Sequence, residues 1–223
     1  MTFIIDTHMH VFRSDLTLAA SRRYTPAYDA SWEEFTALSK PFGVTAAVII
    51  QPSFLGTDNS FILQCIQAAA GCARGVAVID PLATTTADLD ALHAGGVRGI
   101  RLNLLSPKGV DLPNPTEWAP VFDHIRPLGW HVELHVASDR LAPLLDWLEP
   151  LNLTIIVDHF GRPDSAKKFE LGADEPGFKD LVARGGNPNL FCKVSAPYRL
   201  AGAPAQPYFD ALASTFTIDR LLW

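Results

Sequence analysis

Trp130-His-Val-Glu-Leu-His-Val136 and, after a helical pattern, Thr154-Ile-Ile-Val-Asp-His159 are the two runs whose reading decides the fold. In the first, His131, Glu133 and His135 alternate with Val132, Leu134 and Val136, so a strand places the polar set on one face and the apolar set on the other. The same strand–helix alternation extends outward in both directions. Strands are expected at residues 3–7, 45–51, 74–79, 97–103, 130–136, 154–159, 190–195 and 220–223, with helices between them. Ser31-Trp-Glu-Glu34 fits a capping box that opens the first helix, and Gly95-Gly96 stops a helical stretch beginning at Thr86. Strict alternation implies a parallel sheet with helical crossovers. Successive strand starts average about 31 residues apart, the size of one βα unit. No Gly-x-Gly-x-x-Gly follows any strand, which counts against a doubly wound open sheet. The expected fold is a single-domain (β/α)8 TIM barrel over residues 1–223, ending at the start of strand eight.

Composition narrows the function classes. The 223 residues are 48% hydrophobic and 19% charged, with a formal net charge of −6, so the chain is not intrinsically disordered. The acidic balance offers no footprint for nucleic acid, and the longest apolar stretches are too short to cross a membrane. Neither partner is expected. The opening Met1-Thr-Phe-Ile-Ile-Asp6 lacks the basic region of a secretory signal. Of three cysteines, Cys65 and Cys72 sit seven apart on an expected helix and read as same-face core, while Cys192 lies inside an apolar strand. Reduced structural thiols and a cytoplasmic location follow.

Barrel polarity places the chemistry at the C-terminal strand ends. Asp6, His8 and His10 share one face of strand one, and Arg101 and Asn103 lie opposite Ile100, Leu102 and Leu104 on strand four. Gln51 and Ser53 end strand two, His159 ends strand six, and Lys193 and Ser195 end strand seven. His8-x-His10 on an extended strand aims both imidazoles the same way, as two ligands of one metal ion require; the alternative is hydrogen-bonded histidines lining a wet mouth. Arg101 and Arg199 near Ser53 suit a carboxylate, since guanidinium forks match carboxylates bidentately; an ion pair with a barrel carboxylate is the competing role. His93 and His124 belong on helices, and His131 begins strand five at the end away from the site.

Several motifs, in register over almost the whole chain, carry a resemblance. Asp6-Thr-His-Met-His10-Val-Phe resembles the opening strand of the amidohydrolase superfamily. Val157-Asp-His-Phe-Gly-Arg-Pro-Asp164, Gln51-Pro-Ser-Phe-Leu-Gly-Thr-Asp-Asn59, Arg98-Gly-Ile-Arg-Leu-Asn103 and Lys193-Val-Ser-Ala-Pro-Tyr-Arg199 are similar to its lactone-hydrolysing branch. The resemblance implies a cytoplasmic hydrolase of aromatic-compound catabolism that opens a carboxylated lactone, of the pyrone-dicarboxylate or the sugar- or muconolactone kind, by activated water. It implies substrate contacts from Tyr24, Ser53, Arg101 and Arg199, and a catalytic role for His159 in polarising the carbonyl. Pyrone-dicarboxylate members are expected to work without a metal and to carry tyrosine on strand five. Here that position is His135, as in metal-binding members, so His8, His10 and His135 are three candidate ligands for a divalent ion, zinc or manganese. Metal-independent action stays open. An arginine six residues after Arg101 in those members is Pro107 here, beside Lys108.

In the superfamily, the segment after Leu-Leu-Trp supplies the aspartate that activates water. This sequence stops at Trp223, so a C-terminally incomplete barrel is expected. Two other functions compete with the lactonase: metal-dependent non-oxidative decarboxylation on a related constellation, and a catalytically impaired binder. The expected partner is a small anionic substrate, with homo-oligomer assembly left open.

Overall fold

The computed structural model describes residues 3–105, 112–163, 171–200 and 202–223. Pro107, Lys108 and Asp164 lie outside the described residues. Eight strands form one sheet in the order β1 to β8: β1 (Ile4–Met9), β2 (Val44–Ile50), β3 (Ala73–Ala77), β4 (Val97–Asn103), β5 (His131–His135), β6 (Thr154–Val157), β7 (Leu190–Lys193) and β8 (Leu221–Leu222). The helices between them are α1 (Trp32–Ser39), α2 (Ser60–Ala68), α3 (Thr86–Ala94), α4 (Pro115–Ile125), α5 (Leu141–Leu148), α6 (Pro176–Ala183) and α7 (Gln206–Ala213). Spatial order equals chain order, with a helix in every crossover. This is the (β/α)8 barrel topology; a doubly wound sheet reverses its order at a switch point.

The chain divides into two compact units, Met1–Arg101 with Asp123–Leu128, and Leu102–Phe122 with Gly129–Trp223. In the first, β1, β2, β3 and β4 pair in parallel. Ala47 and Ile49 of β2 pack with Met9, Val11 and the α2 residues Phe61, Ile62 and Ile66. The Ser31 side chain accepts from the Glu34 amide while Glu34 accepts from the Ser31 amide, so the expected capping box is present. Thr85 and Asp88 repeat the device at α3. One expectation fails here. Helix α2 ends at Ala68 because Ala70 (φ 48°) and Gly71 (φ 96°) turn left-handed, so Cys65 is buried but Cys72 lies past the helix and is exposed.

In the second unit β5, β6, β7 and β8 pair in parallel, with Val157 of β6 opposite Cys192 of β7. Helix α5 buries Leu141, Leu144, Leu145 and Leu148, each 0–1% exposed, and each such leucine contributes on the order of 1.5–3 kcal/mol. Helix α6 is set by Glu175, whose carboxylate accepts from the Gly177 and Phe178 amides, with Pro176 at the first helical position. Phe178 then packs edge-on against Tyr208 of α7. No helix of the described residues is long and apolar enough to cross a membrane.

Candidate functional site

In the first unit, His8 and His10 leave the C-terminal end of β1 with ring centroids 5.1 Å apart and planes at 85°. The Asp6 carboxylate accepts the His8 amide at 2.8 Å, which ties the strand end to its own side chain. Nδ1 of His10 lies 2.7 Å from the Ile50 carbonyl oxygen. A carbonyl only accepts, so the neutral ring carries its proton on Nδ1 and its lone pair on Nε2.

The anion-binding candidates of this unit differ in depth. Arg101 is 5% exposed on β4, and a guanidinium that cannot lose its charge is costly to place so deep without acceptors around it. Ser53 is half-buried and opens the short turn Ser53–Leu55 after β2. Gln51, wholly buried, ties that turn down by donating from Nε2 to the carbonyls of Gly56 and Asp58. Tyr24 is exposed, with its ring edge-on to Phe54 at 5.2 Å.

The second unit brings His135 and His159 together. Their centroids lie 5.5 Å apart at 89°, and both rings are buried. Nδ1 of His135 is 3.2 Å from Oδ1 of Asn103, so the amide oxygen fixes the ring as the Ile50 carbonyl fixes His10. Nδ1 of His159 is 2.9 Å from Ser195 Oγ. Beneath them, Lys193 Nζ lies 2.5 Å from Glu133 and 3.4 Å from Asp158, with all three side chains within 1% of full burial. Arg199 is half-buried on the turn Pro197–Leu200, its guanidinium 5.2 Å above the Tyr198 ring.

Two site expectations need correction. His159 does not end a strand: β6 stops at Val157, and His159 has φ 51° on the turn that follows. Ser195 does not end a strand either: β7 stops at Lys193, as expected for that residue, and the Lys193 ammonium pairs with buried Glu133. His93 and His124 do lie on α3 and α4, and His124 pairs with Asp90 at 2.8 Å. Asn103 was placed on the Arg101 face without a role, and the period-2 pattern of β4 was the available signal for it.

Within each unit, one of the candidate histidines has the chemistry of a metal ligand. Metal-ligating histidines hold their second nitrogen against a carbonyl or carboxamide oxygen, which fixes the tautomer and leaves the other nitrogen to the ion. His10 and His135 are both held in that way.

Comparisons agree with the geometry. Over 200 residues the chain is 35% identical to a 2-pyrone-4,6-dicarboxylate hydrolase of Comamonas testosteroni, covering 88% of this chain and 63% of that protein. The chain thus spans less than two thirds of that relative's length. It is 29% identical to a 4-sulfomuconolactone hydrolase of Hydrogenophaga intermedia over 98% of this chain and 72% of that one. The crystal structure of a probable 2-pyrone-4,6-dicarboxylic acid hydrolase from Acinetobacter baumannii with citric acid bound superposes with a TM-score of 0.91 at 32% identity, covering all of this chain and 83% of that one. The amidohydrolase family model matches residues 5–223, from the first strand to the last. With the strand-one histidine pair and the barrel order already in place, that match identifies the chain as a member of the amidohydrolase family.

Proposed function

We propose that this chain acts as a hydrolase that opens the ring of a carboxylated lactone with water. The observation that carries the proposal is the kinship with two hydrolases whose named substrates, 2-pyrone-4,6-dicarboxylate and 4-sulfomuconolactone, are both lactones bearing further anionic groups. Buried Arg101 and half-buried Arg199 supply the fixed positive charge such a substrate needs, with Ser53 and Tyr24 as further contacts. His159 polarises the lactone carbonyl, its ring held through Nδ1 by Ser195. Water adds its oxygen to the acyl carbon, the ring carbon–oxygen bond breaks, and the departing oxygen takes a proton. The new carboxylic acid then ionises, and arginines already placed for anions suit that product.

His8, His10 and His135 are the residues that would hold a divalent ion, zinc or manganese. When bound, such an ion supplies Lewis-acid polarisation and lowers the pKa of coordinated water. Three free cysteines fit a reducing compartment. The test is steady-state hydrolysis of a pyrone dicarboxylate and a sulfonated muconolactone beside their neutral methyl esters. The anions should turn over, and the esters should lose roughly 10²-fold or more in kcat/KM, as when buried charged groups lose their partners. Equal rates on ester and acid, or carbon dioxide release with the ring intact, would count against the proposal.

A further inference from the structure

The chain that leaves His10 closes on itself before it reaches α1. Phe12 and Ala30 exchange both backbone hydrogen bonds at 2.9 Å, so residues 12–30 form a loop whose ends meet. Inside it, the Ser14 amide donates to the Asp29 carboxylate at 2.6 Å. The Arg22 guanidinium donates to Thr25 Oγ1 at 2.8 Å and to the Ala19 carbonyl at 3.1 Å, bracketing Tyr24. Tyr24 is therefore tied to the loop's own frame, and the seat of that frame decides where its ring stands. The seat is Phe54, 1% exposed in the turn after β2. The Phe54 carbonyl accepts the Ala19 amide at 2.8 Å. Its ring meets Phe12 at 5.0 Å and Tyr24 at 5.2 Å, both in T-shaped pairs. Leu16, Leu18 and Ala30 of the loop pack on the small core of Phe12, Phe54 and Leu55. A Cβ added at Gly56 would lie 3.1 Å from Ala19 Cβ, so loop and turn approach closely there. The turn is itself held down by Gln51, whose Nε2 donates to the Gly56 and Asp58 carbonyls, and Ser53 is its first residue.

We propose that Phe54 is a positioning residue for substrate binding: it seats the loop of residues 12–30 on the turn that begins at Ser53, and so sets Tyr24 and Ser53 at one spacing for the anionic groups of the lactone. Buried as it is, Phe54 acts through Tyr24 rather than on the substrate. The kinetic part of the test rests on the hydrolase reading above, in which Tyr24 and Ser53 contact the substrate; the exchange part does not.

Leucine at position 54 keeps an apolar side chain and the backbone carbonyl while removing the ring that meets Phe12 and Tyr24. In hydrogen exchange on the full chain, Phe54→Leu should lower the protection of the Ala19 amide about 10-fold or more. The Leu89 amide, which donates to the Thr85 carbonyl at α3, should stay within about threefold of wild type and report an intact fold. In steady-state hydrolysis of a pyrone dicarboxylate, Phe54→Leu and Tyr24→Phe should each raise KM roughly 10-fold with kcat within about threefold, the signature of a lost binding contact. The Phe54→Leu, Tyr24→Phe double variant should stay within about threefold of the worse single variant, because a hydroxyl already out of place has little left to lose. A residue that only fills the core would leave Tyr24→Phe its full effect, so KM increases that multiply to about 100-fold overturn the proposal. An Ala19 amide as protected in Phe54→Leu as in wild type, or a Tyr24→Phe enzyme with wild-type KM, overturns it too. Phe54→Met carries the same comparisons if the leucine variant fails to fold. A wild type that leaves lactones intact would defeat the hydrolase reading and still leave exchange at Ala19 to decide whether Phe54 seats the loop.

Discussion

Gly161→Ala is the sharpest stability test of the turn that carries His159. At φ 70° an added Cβ would sit 2.6 Å from Leu181 Cδ2, with Val157 Cγ1 at 3.6 Å and Leu141 Cδ2 at 3.7 Å. Leu181 is fully buried, so it cannot swing into solvent to make room. The left-handed conformation costs an alanine roughly 1–2 kcal/mol. Forcing one methyl into a filled core costs about 1–3 kcal/mol more, for a total of about 2–5 kcal/mol. In a chain of this size each kcal/mol lowers Tm by about 2–4 °C, which puts the expected drop on the order of 5–15 °C in a circular dichroism melt. Leu181→Ala should be costly alone, yet the double variant should lose less than the sum by about 1–3 kcal/mol because the overlap is gone. A Gly161→Ala protein that melts within about 2 °C of wild type, or strict additivity with Leu181→Ala, would refute the packing argument.

Three further outcomes follow from named contacts. Lys193→Met should cost about 3–5 kcal/mol in chemical denaturation by stranding the buried Glu133 carboxylate, and adding Glu133→Leu should recover a large part of that loss. At α3, the hydrogen bonds from the Thr85 hydroxyl and amide hold the Asp88 carboxyl below its ordinary range. A depressed pKa means this cap is fully formed above the ordinary aspartate range and is lost as pH falls through the lowered value. The protection factor of the Thr85 amide, its exchange relative to the intrinsic rate at each pH, should therefore fall on acidification in wild type, and that dependence should vanish in Asp88→Asn. Elemental analysis of protein purified without chelator should find a divalent ion that is lost in the His8→Ala, His10→Ala double variant; a metal content unchanged by the double variant would remove both residues from the ligand set.

The sheet was legible because its signals are local. Val97–Asn103 reads as a strand from period-2 alternation alone, and β4 occupies those same residues. Ser31 and Glu34 announce α1 because a capping box is a four-residue device. The end of β6 was hidden for the opposite reason. Continuing the strand to His159 satisfies the period-2 pattern, and the bulky Phe160 disfavours positive φ. The contacts this stretch makes with Lys193 of β7, at 3.4 Å from Asp158, and with Ser195, at 2.9 Å from His159, come from more than thirty residues away in sequence. Likewise Glu133 was legible on the polar face of strand five and Lys193 as a strand-end cation, but their pairing depends on register across three strands.

The central claim is hydrolytic ring opening, and the fate of oxygen tests it most directly. With a carboxylated lactone supplied in 18O-labelled water, mass spectrometry of the ring-opened product should show one solvent oxygen in the new carboxylate, with no carbon dioxide released. A product carrying no solvent oxygen, or one shortened by loss of carbon dioxide, would contradict the account.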